Sequence, residues 1–266
     1  MTKLKYLIGT LLLVITSCSQ NGTPDPIKEI KKPLLKSIDE INPSSGLSTT
    51  FTYDGFKIKD ATTIGINVGQ FKINYTYTND LITQEDGYIN DLLFVSNEYT
   101  YENDKLKTVI FKNTNSGTIF PPINDTKLIY NYISDNQVDI HHYSYSNNNW
   151  EPNQYITKIY LSGDNIIKRE NIISDGTIIS TINYEYDTNP NIYKNITGFN
   201  KLFFNNSFAN NFNRHFNIQD ISNANNVIHY ESERYKYNIN SNGYPIEKLL
   251  YYSSSQYLIE KKYTYY

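Results

Sequence analysis

From Leu34 to the C-terminus, apolar and polar residues alternate one by one. In the segment 71–77, FKINYTY, Phe71, Ile73, Tyr75 and Tyr77 fall on one side and Lys72, Asn74 and Thr76 on the other. A period of two predicts a strand with one dry and one wet face, whereas a helix of these residues would bury lysine and asparagine. Ile182, Tyr184 and Tyr186 against Asn183, Glu185 and Asp187 repeat the pattern, as do Tyr235, Tyr237 and Ile239 against Arg234, Lys236 and Asn238. Strands with one wet face belong to antiparallel sheets. Between them stand short words rich in Asn, Asp and Gly: YDGF at 53, TNDL at 78, ENDK at 102, SDNQ at 134, SGDN at 162, SDGT at 174 and NSNG at 240. These residue types tolerate positive φ and predict tight hairpin turns.

A Tyr-x-Tyr word begins at Tyr75, Tyr99, Tyr130, Tyr143, Tyr184, Tyr235 and Tyr263. Random placement of 26 tyrosines in 266 residues would give about 2.5 such pairs, so the spacing has a structural cause. Rings on the apolar face of a sheet stack across strands while their hydroxyls stay wet. The spacing of the words is uneven, which is a degenerate repeat with insertions and not a regular solenoid. The predicted fold is all-β: a meander of antiparallel hairpins forming a curled or barrel-like sheet, one domain over 34–266. The longest departure, 188–216, is crowded with Asn and Phe. It reads as a short helix around Lys201 to Phe212 or as a long loop folded over one end of the sheet.

The N-terminus has a different pattern. Lys3 and Lys5 precede the apolar run Leu7 to Ile15, too short to cross about 30 Å of hydrocarbon as a helix and right for an export signal over 1–17. Ile15-Thr16-Ser17-Cys18 follows. It resembles the bacterial lipobox, whose cysteine receives a diacylglyceryl group and becomes the first mature residue. Cys18 is the single cysteine, so no disulfide is available and the fold must stand on its core. Residues 18–33 carry the lipidated cysteine and a polar tether with three prolines. The expected location is the outer membrane, with the chain anchored by lipid in its periplasmic or cell-surface leaflet; Ser19 after the cysteine resembles the pattern of lipoproteins passed on to that membrane.

The hairpin array, the lipobox, the segment YEYDTNPNIYKNI at 184–196 and the terminal KKYTYY together resemble an uncharacterised domain-of-unknown-function family of Bacteroidota lipoproteins with a porin-like fold. The resemblance spans 34–266. In that family a turn of the form Asp-x-Lys-x-Asn-Pro-Phe follows the central strand; here Asp187-Thr188-Asn189-Pro190-Asn191-Ile192-Tyr193 shifts the proline. The resemblance implies a porin-like barrel and brings no activity, cofactor or catalytic residue.

Charge and candidate chemistry narrow the picture. With 24 Lys plus Arg against 27 Asp plus Glu, no basic field exists to draw nucleic acid. His141 and His142 are adjacent on an expected strand and point to opposite faces, so a zinc site would need His215, His229 or a distant carboxylate. No metal and no cofactor is expected. Glu85, Asp86, Asp91, Glu185 and Glu231 are available for paired-carboxylate chemistry, but no pair is singled out, and the expectation is a protein that is not an enzyme. The candidate ligand-binding residues are Trp150, the only tryptophan, and Tyr155, both in the polar stretch SNNNWEPNQY at 146–155, where a large ring has no strand to pack on. Candidate partners are the membrane through the lipid and a glycan or envelope protein. A membrane-spanning barrel is not the preferred reading, because the wet faces carry Lys, Asn and Thr where such barrels carry aliphatic residues.

Overall fold

The computed structural model describes residues 32–41, 46–65, 69–114, 125–202, 223–253 and 256–266. The signal segment, Cys18 and the tether up to residue 31 lie outside the described residues. Sixteen strands follow in chain order: β1 (Leu35–Glu40), β2 (Ser48–Asp54), β3 (Lys57–Gly65), β4 (Gly69–Thr78), β5 (Leu81–Ile89), β6 (Leu92–Glu102), β7 (Lys105–Asn113), β8 (Thr126–Ser134), β9 (Gln137–Ser146), β10 (Asn149–Ser162), β11 (Asn165–Ile173), β12 (Ile178–Pro190), β13 (Asn225–Tyr230), β14 (Glu233–Ile239), β15 (Pro245–Ser253) and β16 (Gln256–Tyr265). Each pairs antiparallel with its sequence neighbour, and β16 pairs back onto β1. The sheet is therefore a closed barrel, which removes the unpaired edges an open sheet would leave.

All seven predicted turn words are turns or bends between strands. Sequence reasoning missed the turns at Asn90–Asp91 and Asn147–Asn148, where both central residues have positive φ (48°, 65° and 50°, 61°), the geometry that matches the twist of a two-residue hairpin. The chain enters at Leu35 and leaves at Tyr265, and these two residues are partners. The turns at 55–56, 79–80, 103–104, 135–136, 163–164 and 241–242 gather at this entry end, as does the segment that follows Pro190; the turns at 90–91, 147–148, 174–176 and 231–232 lie at the far end.

At the entry end the tyrosine repeat has a specific task. After each tip the ladder shifts by one residue: Tyr77 pairs with Ile82 but Thr76 with Gln84, and Tyr101 with Leu106 but Thr100 with Thr108. Such bulges disrupt the ladder locally, and a backbone carbonyl left without a partner there must find one. In the inward-pointing words the second tyrosine supplies a hydroxyl donor, from the next strand in every case but Tyr77. Tyr101 donates its hydroxyl to Ile82 O (2.7 Å), Tyr132 to Leu106 O (3.1 Å) and Tyr186 to Ile166 O (2.5 Å). Tyr53, Tyr237 and Tyr265 do the same to Leu35, Val227 and Pro245. Tyr77 reaches Thr197 O (3.1 Å) while accepting from Ile58 N–H.

Thr197 belongs to the excursion after β12. Its described part holds one 3-10 turn, Phe199–Lys201; residues 203–212 of the expected helix lie outside the described residues. Ile192, Tyr193, Ile196, Phe199 and Leu202 are buried in the main core. Phe199 packs on Tyr75 and Tyr193 with ring centroids 5.8 and 5.6 Å apart, and Thr197 N–H bonds Phe56 O. Gly198 is at φ +84°, and a Cβ there would meet Asp80 O at 2.9 Å, so only glycine fits this approach. The described part of the segment, up to Leu202, covers the ring layer as a lid. An Asn and Asp network holds its two ends: Asp187 accepts from Asn226 and Asn189, and Asn165 from Ala224 N–H.

Candidate ligand-binding surface

Inward side chains form the core: Phe51, Ile73, Tyr130, Ile140 and Ile159 are fully or almost fully buried. Buried polar groups sit among them, several of them paired across strands. His142 Nε2 lies 3.0 Å from Thr157 Oγ1, which donates to Asn171 Oδ1 (3.0 Å), whose amide donates to Ser180 (2.9 Å). Thr157 spends its proton on Asn171, so the assigned tautomer of His142 carries its proton on Nε2. Burial, with His141 beside it, lowers the His142 pKa to about 4. Glu85 accepts from Tyr99 (2.7 Å) and Asn97 (3.2 Å); burial raises its pKa despite both bonds. Lys248, 1% exposed, lies 3.4 Å from Glu260 and over the Tyr235 ring, while Lys261 lies 3.6 Å from Glu40.

Among the described residues the candidate carboxylates are not brought together as a facing pair. Glu85 points in, but Asp86 accepts from Ser96 and Gln84 on the other face; Glu185 pairs with His229, and Asp91 and Glu231 sit in far-end turns. Among the described residues no cluster of three His, Cys, Asp or Glu side chains could hold a metal. His141 and His142 do face opposite ways, since only His142 joins the inner row with Val138 and Ile140.

The outer wall of β8, β9 and β10 carries a cluster of aromatic rings beside a lysine. Trp150 is not in a loop: it opens β10, directly opposite Tyr145, and the connection is only the Asn147–Asn148 turn. The correction follows from those two asparagines, which take positive φ readily and let the strand begin at Asn149. Tyr145 and Trp150 have ring centroids 5.1 Å apart, and Lys127 Nζ lies 4.8 Å from the Tyr143 ring and 4.9 Å from the Trp150 ring. Lys127 is opposite Tyr143, and Tyr143 opposite Pro152, so the rings and the cation share one face. Tyr145 is 38% exposed. Tyr155 does not join them: it pairs with Ile173 beyond the register shift and lies on the face of buried Thr157.

Tyr143 and Tyr145 are what sequence reasoning missed. Six of the seven Tyr-x-Tyr words point inward; this one points out. The signal was the phase of the alternation, for Val138, Ile140 and His142 set the inward positions of β9 and leave Tyr143 and Tyr145 on the wet side.

A shallow cavity of about 280 Å³ lies at the entry end, lined by Glu102, Asn103, Lys105, Lys107, Tyr130 and Tyr132. Lys107 is engaged with Glu102 (3.2 Å) and Lys105 lies over the Tyr132 ring, so both ammonium groups are already occupied.

No protein-family model matches the chain, and no curated protein matches it. Among solved structures it is similar to a porin-like protein from Bacteroides vulgatus, with 11% identity over 88% of this chain and 99% of that chain and a TM-score of 0.53. A porin-like protein from Bacteroides uniformis aligns with 10% identity over 86% of this chain and 95% of that one, with a TM-score of 0.35. At such identity the first likeness shows a shared barrel fold.

Proposed function

We propose that the chain is a cell-envelope lipoprotein, held on the outer membrane through lipidated Cys18, whose barrel is a non-enzymatic binding or scaffolding module standing in water. The observation that carries this reading is the outer wall. Lys72, the pair Glu98 and Lys112, the pair Lys168 and Glu170 (3.0 Å) and the pair Lys262 and Glu247 (3.7 Å) stand on strands where a spanning barrel meets acyl chains. A lysine at the bilayer midplane would cost about 2–4 kcal/mol. Apolar residues fill the inside instead, inverting the polarity of a membrane barrel. The lipobox word then supplies the attachment that the wall cannot, because several acyl chains on one cysteine hold a protein firmly.

Cys18→Ala should abolish labelling by a fatty-acid probe and release the protein from the membrane fraction. A Cys18→Ala protein that stays embedded and migrates differently in gels before and after heating would make it a spanning barrel. A second reading is supported by the Tyr143, Tyr145 and Trp150 rings, which offer stacking faces to a sugar. On a glycan array Trp150→Ala should then lose binding that the parent protein shows; binding by neither protein removes the glycan reading.

A further inference from the structure

A second apolar surface lies on the outer wall of β14, β15 and β16. Leu249 pairs with Ile259 and Tyr251 with Tyr257. Leu249 is also opposite Lys236 of β14, whose neighbours Tyr235 and Tyr237 point inward, so these four side chains face out. Tyr251 and Tyr257 meet edge to face at 5.3 Å, and Tyr257 is 45% exposed. Along the patch, Arg234 and Lys236 are exposed and have no carboxylate partner among the described residues. The acids of this sector are engaged elsewhere: Glu247 by Lys262 and Asn238, Glu233 by the Tyr235 hydroxyl, Glu260 by Lys248. Glu231 sits in the turn beyond the strand face.

We propose that this wall is a membrane-contact surface, resting on an anionic leaflet with Tyr251, Tyr257, Leu249 and Ile259 at the headgroup level and Arg234 and Lys236 toward lipid phosphates. Interfacial tyrosines beside aliphatic side chains and free cations are the chemistry of that boundary. A second copy fits less well, because a self-paired face would bring Arg234 and Lys236 against their own kind with no acid to receive them. The inference rests on the lipid-anchor reading.

The single tryptophan makes the test direct. The lipidated protein is bound to phosphatidylglycerol-containing vesicles with brominated acyl chains, which quench indole emission at short range. In a Trp150→Phe background, the Tyr257→Trp variant should lose most of its emission, while Trp150 in the natural protein, on the β8–β10 wall, should keep its own. Adding Arg234→Glu and Lys236→Glu should restore emission in the Tyr257→Trp variant without detaching it. Thermal melting of each variant checks that the barrel is intact. Protein that fails to float with vesicles would sink the anchor reading. Protein that floats with equal quenching at both positions, or with none at 257, would overturn the contact surface, the latter outcome pointing to a protein partner.

Discussion

At the entry end, tyrosine hydroxyls bond backbone carbonyls and a lid of Ile192, Tyr193, Ile196, Phe199 and Leu202 covers the rings beneath. Deeper along the inner wall, His142, Thr157, Asn171 and Ser180 bond one another from four successive strands, and Glu85 bonds Tyr99 and Asn97. Both regions satisfy buried polar groups, but the first spends neutral hydroxyls on fixed backbone and the second relies on titratable side chains. The entry end should therefore be sensitive to lost volume and indifferent to pH, and the inner ladder the reverse.

The largest effect is expected from the lid. Phe199→Ala removes a buried ring packed on Tyr75 and Tyr193, and should cost about 3–5 kcal/mol, read as a lower urea midpoint at unchanged slope. A loss under about 1 kcal/mol would mean the lid is not part of the cooperative unit.

Next comes acid sensitivity from the ladder. His142 titrates at about 4 when folded against 6.5 when free. The unfolded chain therefore binds more protons between those values, and stability contributed by the neutral ring, complete above pH 6.5, is lost as pH falls toward 4. The loss should reach about 3 kcal/mol, and His142→Gln should flatten urea midpoints over that window. Glu85 acts with opposite sign: its pKa is raised by burial, so its ionisation weakens the fold as pH rises through the folded value. Glu85→Gln should gain stability relative to the parent at neutral pH, and equal pH profiles for the two proteins would contradict this placement.

The smallest effect separates the two kinds of tyrosine. Tyr101→Phe leaves Ile82 O without its donor and should cost about 1–2 kcal/mol at any pH between 5 and 8. Tyr145→Phe, on the outer wall, should stay within about 0.5 kcal/mol and instead change ligand binding. Equal costs at both positions would erase the distinction between latch and platform.

Much of this was legible in the chain. Strict alternation fixed which side chains face in, because a one-residue slip would turn every ring outward, and Asn, Asp and Gly words marked each entry-end tip. The Tyr-x-Tyr excess announced a structural device, but not its acceptors: the carbonyls of Ile82, Leu106 and Ile166 sit on neighbouring strands some twenty residues away. Trp150 was visible as an isolated ring, yet its partner Tyr145 was hidden inside a word that reads like the other six. Tyr155 was misgrouped with it because the register shift between Pro152 and Ile156 leaves no trace in composition.

What the sequence by itself determined is local: strand faces, turn chemistry, the lipobox word and the absence of a basic field. Closure was decided only in three dimensions, since pairing Leu35 with Tyr265 joins residues at opposite ends of the fold, and no local pattern states whether the last strand meets the first. The same holds for the lid, whose apolar residues have no period and gain their place from a surface built by distant strands. Patterns of period two are set by each residue's own neighbours; closure and capping depend on the whole sheet's twist and strand number, which no short segment encodes.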